Sequence, residues 1–179
     1  MTIMQATMGC GCFWCFEASI QRLNGIIEVI PGYSGGELLN PSYEQVCTGA
    51  TGHAEVLRIT FDDTVIDFTS LLKVFFSAHN PTTLNRQGAD IGTQYRSVIF
   101  YENPSQQSDT EQFIKKIETS KQWADPIVTE ISPFTIFYPA ELHHHNYYNQ
   151  HPEQGYCQLI IQPKLLKLKQ DHPTLLYPK

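Results

Sequence analysis

Three cysteines stand within six positions near the start of the chain, in the stretch GCGCFWCFEA that covers residues 9–18. Cys12 and Cys15 form a Cys-x-x-Cys pair, with the aromatic residues Phe13 and Trp14 between them. Such a cluster is compatible with three kinds of chemistry: half of a zinc site, a redox-active dithiol, or a cysteine nucleophile beside an aromatic pocket. Each requires a different arrangement of the rest of the chain.

A zinc site would need a second pair of ligands for Cys12 and Cys15 at suitable spacing. The candidates are Cys47 with Cys157, or the histidine run at 143–145. Adjacent histidines on one helix point in different directions, so we expect this run to chelate a single ion poorly. We therefore expect no metal, and a zinc-binding module remains an alternative function.

A general disulfide oxidoreductase would use the same pair, because a Cys-x-x-Cys at a helix start contains a thiolate of low pKa. Here, however, no βαβ unit precedes the pair, as it does in thioredoxin-like proteins. The nucleophile hypothesis needs Cys12 alone, with its thiolate stabilised by the unpaired N–H groups of a helix N-terminus. Phe13 and Trp14 would then form the wall of an apolar pocket for a methyl group next to sulfur.

A carboxyl group and several hydroxyl groups are candidates to assist such a nucleophile. Glu55 shares one face of a predicted strand with three large apolar residues. Burial of that face would raise the pKa of Glu55, and the protonated carboxyl could then act as a general acid toward a substrate oxygen. Hydroxyl donors next to loops are provided by Tyr33, Tyr43 and Tyr95.

The elements that must position these groups follow from hydrophobic periodicity. Residues 13–23 have helical spacing, which places Cys12 at a helix N-terminus. Strands are predicted in IIEVIPGYSGG, HAEVLRITFD, YRSVIFY and PIVTEIS. Further helices are predicted in TSLLKVFFSAH and PSQQSDTEQFIKKIETS, and a long polar loop in NPTTLNRQGADIGTQ. Since the elements do not alternate regularly, we predict an α+β two-layer sandwich with a mixed β-sheet and packed helices.

Composition narrows the function further. With 179 residues and 41% hydrophobic content, the chain predicts one domain over residues 1–179. The net charge of −6 and the lack of a basic, aromatic-rich patch argue against nucleic-acid binding. No segment has the roughly 20 apolar residues of a membrane span, and the start does not resemble a signal peptide. Together with five cysteines crowded mostly at one end, this predicts a cytoplasmic protein without a disulfide framework.

Six sequence blocks in this order resemble the class A peptide methionine sulfoxide reductases over nearly the whole chain. They are GCFW, PGYSGG, NPSYEQVCTGATGHAEV, NPTTLNRQGADIGTQYRSVIFY, YPAELH and QGYCQ. The resemblance implies an enzyme that reduces the S epimer of methionine sulfoxide, free or within proteins, and so repairs oxidised proteins. It also implies a ferredoxin-like plait as the core of the sandwich.

The resemblance assigns roles to individual residues. Cys12 matches the nucleophile that attacks the sulfoxide sulfur and becomes a sulfenic acid. Phe13 and Trp14 match the hydrophobic cage around the substrate methyl, and Glu55 matches the acid that protonates the sulfoxide oxygen. The further polar members of the site are matched by Tyr43, Tyr95 and Asp90.

The resemblance also implies a disulfide relay. Cys157 matches the recycling cysteine, which would join Cys12 in a disulfide that thioredoxin reduces. We expect its polar, glycine-bearing tail to be mobile enough to reach Cys12. Cys15 is the alternative resolving thiol, although two side chains in the first turn of one helix are expected to diverge. Cys47 is expected to be a small buried residue. No cofactor is implied, and we expect a monomer.

Overall fold

The computed structural model describes residues 1–178 and contains a six-stranded mixed sheet with helices packed against it. The strands are β1 (Ile3–Cys10), β2 (Ile26–Ser34), β3 (Ala54–Asp62), β4 (Arg86–Gln87), β5 (Asp90–Ile91), β6 (Ser97–Tyr101), β7 (Glu130–Pro133) and β8 (Phe137–Pro139). The helices are α1 (Phe13–Ile20), α2 (Tyr43–Cys47), α3 (Phe68–Ala78), α4 (Pro104–Ser120), α5 (Tyr147–Gln150) and α6 (Gln162–Asp171).

The sheet has the strand order β7-β6-β1-β3-β2-β8, and β4 pairs with β5 in a separate two-stranded ladder. Neighbouring strands of the large sheet are antiparallel except β6 and β7, which are parallel. The succession β1-α1-β2-β3-α3-β6 is a βαββαβ unit whose four strands pair in the order β6-β1-β3-β2, the ferredoxin-like arrangement. The predicted α+β sandwich with a mixed sheet is therefore confirmed.

The main core lies between the sheet and helices α1 and α3. Met8 on β1 and Ile59 on β3 are fully buried in the same apolar cluster as Phe16 on α1 and Phe75 on α3. The rings of Phe16 and Phe75 meet edge to face with their centroids 5.8 Å apart. These contacts fix α1, and with it the cysteine that precedes it, on the sheet.

Two glycines set the path of the chain from β1 into α1. A Cβ atom on Gly9 would lie 2.4 Å from the carbonyl oxygen of Glu55, so β1 can approach β3 this closely only with glycine here. Gly11 has φ of +100°, a conformation that other residues rarely adopt. The resulting turn makes Cys12 the N-cap of α1. The start of α1 and the inner face of β3 consequently meet at one point.

Several local predictions need correction. The long polar loop contains the β4–β5 ladder, and β7 begins only at Glu130, where pairing with β6 starts. The C-terminal segment, expected to be a mobile polar tail, is helical, with a π-helical stretch at Cys157–Ile161 that continues into α6. Cys157 is fully buried there, because α6 and this stretch pack against α1. No helix within residues 1–178 is long and apolar enough to cross a bilayer.

Candidate active site

Cys12 lies half-buried at the start of α1, as predicted from the sequence. It is the N-cap residue, with extended backbone angles of −60° and 123°, and the nearby backbone N–H of Trp14 acts to lower the pKa of its thiol. An unpaired N–H group at a helix N-terminus favours a thiolate in this way. The position suits a nucleophilic sulfur that a substrate can reach.

The thiols of Cys12 and Cys15 lie close enough to shift each other's pKa, and Cys12 packs against the buried cluster that contains Cys15, so the two side chains do not diverge as expected. The reason is that Cys12 has extended rather than helical backbone angles, which turns its side chain back over the first turn of α1. The interaction with Cys12, helped by the positive charge of Lys164, lowers the pKa of Cys15 to about 7 despite its burial. The same interaction, burial and the charge of Glu55 raise the pKa of Cys12. The pair therefore shares one proton.

Glu55 lies on the buried face of β3, as the alternation in the sequence predicted, and its side chain is held against the start of α1. The residue is 1% exposed, and its Oε1 accepts a hydrogen bond from the backbone N–H of Phe13 at 3.2 Å. Burial raises the pKa of the carboxyl to about 8, against the opposing effect of that hydrogen bond. Its Oε2 is buried and has no hydrogen-bond partner among the described residues. Glu55 is thus a carboxylic acid at neutral pH with one oxygen left to donate.

The other predicted polar residues surround this carboxyl. Burial raises the pKa of both Tyr43, the first residue of α2, and Tyr95, and the charge of Glu55 adds to the effect in each case. Asp90, on β5, accepts a hydrogen bond from the hydroxyl of Tyr156 at 3.1 Å. Asp90 also lines the same cavity as Cys12 and Cys15, so the structure places it beside the thiol pair.

The two aromatic residues after Cys12 have different surroundings. Phe13 is buried in the main core, 5.9 Å from the Tyr33 ring centroid. Trp14 is half-buried and stacks on Tyr147, with centroids 3.8 Å apart. Its indole N–H donates to Nδ1 of His144 at 3.2 Å. Trp14 is therefore the more accessible of the two rings, and its orientation depends on partners that sequence reasoning missed.

The segment after β8 contributes four residues near the site that the sequence analysis did not predict: Glu141, His144, Tyr147 and Tyr156. Burial lowers the pKa of His144, and its ring lies 4.5 Å from that of Tyr43. The Glu141 carboxylate accepts one hydrogen bond from the Tyr33 hydroxyl and another from the backbone N–H of Tyr43, each at 3.2 Å. One signal for His144 existed in the sequence: an indole N–H next to a reactive thiol needs an acceptor, and ELHHHNYYNQ offers several.

The remaining cysteines, Cys10, Cys47 and Cys157, lie in different surroundings. Cys157 packs with Cys15 in a small buried cluster that also contains Ala18 and Ile161. Cys10 is buried, which raises its pKa. Cys47 is exposed on α2, so the prediction that it is buried is wrong. Among residues 1–178, the one cluster of three possible metal-ligating side chains contains no cysteine.

A cavity of about 350 Å³ opens beside the thiol pair, on the side of Asp90 and Lys164. Cys12, Cys15 and Tyr156 line it. Neighbouring cysteines and a buried acid at the start of one helix, in a ferredoxin-like fold, indicate the class of the oxidoreductases.

The comparisons with known proteins identify the family within that class. The family model described as peptide methionine sulfoxide reductase matches residues 4–175, and the chain belongs to this family. It is 51% identical to the peptide methionine sulfoxide reductase MsrA of Polynucleobacter asymbioticus, over 99% of this chain and 94% of the relative.

Solved structures of methionine sulfoxide reductases have the same fold as this chain. Reduced Mxr1 from Saccharomyces cerevisiae has a TM-score of 0.79 and 33% identity, with 87% of this chain and 89% of that chain covered. Mxr1 in complex with Trx2 has a TM-score of 0.55 and 23% identity, with 81% and 84% covered, and shows the likeness of fold alone. The chain is therefore an MsrA-type reductase by family and by fold.

The raised pKa of Glu55 predicts a specific dependence of stability on pH. The folded state keeps this proton up to about pH 8, whereas the unfolded chain loses it near 4.5, so stability falls as pH rises between these values. Glu55→Gln has no proton to lose. Its free energy of unfolding relative to the parent should rise by on the order of 4 kcal/mol between about pH 5 and pH 9.

Denaturant unfolding of both proteins at each pH measures this difference. Glu37→Gln, which changes an exposed carboxyl, is the control and should differ from the parent by a constant amount. A constant difference for Glu55→Gln as well would mean that the Glu55 carboxyl ionises normally in the folded protein.

Proposed function

We propose that this protein reduces the S epimer of methionine sulfoxide, free or within proteins, by a sulfenic acid and disulfide mechanism in the cytoplasm. The observation that carries the proposal is the position of Glu55. Its buried carboxyl is tied through one oxygen to the N-terminus of the helix that carries Cys12, while the other oxygen is unpaired. A sulfoxide needs this combination, since its oxygen leaves only when protonated and its sulfur must face a thiolate.

The first step consumes the proton of Glu55. The Cys12 thiolate attacks the sulfoxide sulfur, with the methyl group held against Trp14 and Phe13, while Glu55 protonates the oxygen. Tyr43 and Tyr95 orient that oxygen with hydroxyl donors that stay protonated. Attack forms a bond between the Cys12 sulfur and the substrate sulfur. The protonated oxygen then transfers to the Cys12 sulfur as the S–O and S–S bonds of the substrate sulfur break, so methionine leaves and Cys12 becomes a sulfenic acid. Cys15 assists by accepting the proton of Cys12, since the two thiols shift each other's pKa.

The second step forms a disulfide. Cys15 is the thiol in contact with Cys12, and its lowered pKa makes it a thiolate near neutral pH. We assign to it the attack on the sulfenic acid: the Cys12–Cys15 bond forms, the S–O bond of Cys12 breaks, and the hydroxyl leaves as water with the proton that Cys15 took from Cys12 in the first step. The hydroxyl of Tyr156 lies 3.4 Å from the Cys15 sulfur and 3.1 Å from Asp90, so it holds that sulfur near the cavity.

Cys157 then acts as the second resolving thiol. It packs against Cys15 in the buried cluster, and the charge of Cys15 influences its pKa. Attack of Cys157 on Cys15 frees Cys12 and leaves a Cys15–Cys157 disulfide. The π-helical stretch that begins at Cys157 has a wide turn of the kind often found at functional sites, which favours local rearrangement. In this proposal Cys157 still recycles the enzyme, but it reacts with Cys15 rather than directly with Cys12.

A dithiol protein of the thioredoxin type is the proposed reductant. The reduction of Cys15–Cys157 takes two electrons and two protons, which a vicinal dithiol supplies while it becomes a disulfide itself. The likeness to yeast Mxr1, which has been solved in complex with Trx2, supports this partner. The reaction as written needs no metal or organic cofactor, and the protein is proposed to act as a monomer.

Removing the nucleophile or the acid should have distinct effects on methionine release. Cys12→Ser should abolish it. Glu55→Ala should lower kcat/KM by about 10²- to 10⁴-fold, as expected for loss of a general acid, and Glu55→Gln should lose less because its amide still donates. The measurement is methionine formation from each resolved sulfoxide epimer with dithiothreitol. Cys47→Ser is the matched control for thiol removal, and its rate should equal that of the parent.

Turnover by Cys12→Ser would contradict the assignment of the nucleophile. Equal rates for the parent and both Glu55 variants would remove the acid from the mechanism. A preference for the R epimer would contradict the proposed substrate.

The proposed order of reaction, in which Cys12 is followed by Cys15 and then Cys157, predicts how much methionine is formed without reductant. The parent should release about two methionines per chain, because Cys15–Cys157 formation frees Cys12 for a second attack. Cys157→Ser should stop after about one, with Cys12 joined to Cys15. Cys15→Ser should also stop after about one, with Cys12 trapped as a sulfenic acid that a 1,3-dione reagent labels.

Peptide mapping of these three proteins identifies the bonds, and Cys47→Ser should behave like the parent. Parent protein that releases one methionine and contains only a Cys12–Cys157 bond would contradict the order, particularly if Cys15→Ser recycled normally with thioredoxin.

A further inference from the structure

Three side chains outside the reacting groups form a cluster with the composition of a metal site. Glu141, His143 and His144 each offer a ligand atom, and these atoms lie within 4.8 Å of one another. The expectation that neighbouring histidines diverge does not hold for this pair, because they lie in a three-ten turn with ring centroids 4.1 Å apart. Two imidazoles and a carboxylate are a ligand set that suits zinc, with a fourth position left for water.

The buried histidine has a nitrogen aimed into this cluster without a partner. His144 is 2% exposed, and its Nε2 makes no hydrogen bond to any of residues 1–178. The nearest acidic atom is Oε2 of Glu141, 3.8 Å away, which is too far for a hydrogen bond. A buried imidazole nitrogen that is left unpaired in this way costs free energy, so it marks a position where a ligand would be stabilised.

Glu141 and His143, the other two residues of the cluster, supply the remaining ligand atoms. Glu141 is fixed by its hydrogen bonds from Tyr33 and Tyr43, which restrict the carboxylate as outer partners do in metal sites. His143 is exposed and can rotate toward an arriving ion. The cluster therefore combines a fixed carboxylate, a buried nitrogen and a mobile outer ligand, and the outer ligand provides the route of entry.

Metal binding at this nitrogen is coupled to the substrate cage. The indole N–H of Trp14 can only donate, so Nδ1 of His144 accepts and the neutral ring carries its proton on Nε2. A metal ion needs an unprotonated Nε2, which moves the ring proton to Nδ1, where it faces the Trp14 N–H. The ion and the Trp14–His144 hydrogen bond consequently exclude each other.

We propose that Glu141, His143 and His144 bind Zn²⁺, and that the bound ion inhibits the enzyme by releasing Trp14 from His144. The ion is not part of the reaction. It weakens substrate binding, because the indole that forms the accessible wall of the cage loses its fixed orientation. The inhibition rests on the proposed function, whereas the binding does not.

Binding is tested with Zn²⁺ and the full chain carrying Cys12→Ser and Cys15→Ser, which removes the thiol pair as a competing ligand. Calorimetric titration should show one Zn²⁺ per chain. His143→Gln, added to this background, should weaken binding by at least about tenfold, as loss of one ligand implies. His145→Gln is the matched control, since this histidine instead contacts the carbonyl of Ala140, and it should bind as the background does. Equal affinities for the two histidine variants would overturn the site.

The coupling to Trp14 is tested by fluorescence in the same background with Trp123→Phe, which leaves Trp14 as the one tryptophan. Zn²⁺ should change the emission, and His143→Gln should shift the change to at least about tenfold higher Zn²⁺. No change in emission on saturation would overturn the link between the ion and the cage.

Inhibition is tested in the chain with all its cysteines, by methionine formation in single turnover. Zn²⁺ should raise the sulfoxide concentration needed for half-maximal rate, and His143→Gln should need at least about tenfold more Zn²⁺ for the same effect while its rate without Zn²⁺ is unchanged. Equal inhibition of both proteins would place the inhibitory ion on the thiols and overturn this part of the proposal. A chain that reduces neither sulfoxide epimer without Zn²⁺ would instead contradict the proposed function, with the binding result unaffected.

Discussion

The hydrogen bond from the Phe13 backbone N–H to Oε1 of Glu55 is the interaction on which the site depends. It joins the middle of the sheet to the first turn of α1, so the acid and the nucleophile are held by one contact. The close approach of β1 to β3 at Gly9 makes the contact possible, since a side chain there would meet the Glu55 carbonyl oxygen at 2.4 Å. Burial keeps the carboxyl protonated, and the hydrogen bond determines which of its oxygens is left for a substrate.

On this account the two halves of the reaction use different neighbours of Cys12. The acid Glu55 contacts the start of α1 through the backbone N–H of Phe13, and oxygen transfer would occur there. Cys15 lines the cavity of about 350 Å³ together with Cys12 and packs with Cys157, so electrons would enter through Cys15. The packing of the C-terminal helical segment against α1 brings Cys157 to Cys15, and it places a buried thiol where a flexible tail was expected.

Most of the fold and the central residues of the site could be predicted from the sequence. The period of two in β3 correctly predicted a buried Glu55, and the helical spacing after Cys12 placed that residue at a helix start. The roles of Tyr43, Tyr95 and Asp90 came from the family resemblance alone, because nothing in their local sequence distinguishes them from packing residues.

The features of the site that the sequence analysis missed depend on contacts between distant parts of the chain. His144 meets Trp14 across 130 positions, and Tyr156 meets Cys15 across 141, so no local pattern predicts either contact. The meeting of the Cys12 and Cys15 thiols depends on the extended backbone angles of an N-cap residue, which helical periodicity does not describe.

The central claim is that Glu55 supplies the proton for reduction because burial keeps it un-ionised. The most direct test is the rate of methionine release in a single turnover, measured from about pH 6 to pH 10 without reductant. For the parent, the rate at low sulfoxide concentration should fall as one proton is lost with a pKa of about 8. For Glu55→Gln this decline should be absent. A decline near the same pH in Glu55→Gln, or a parent rate that keeps rising past it, would contradict the account.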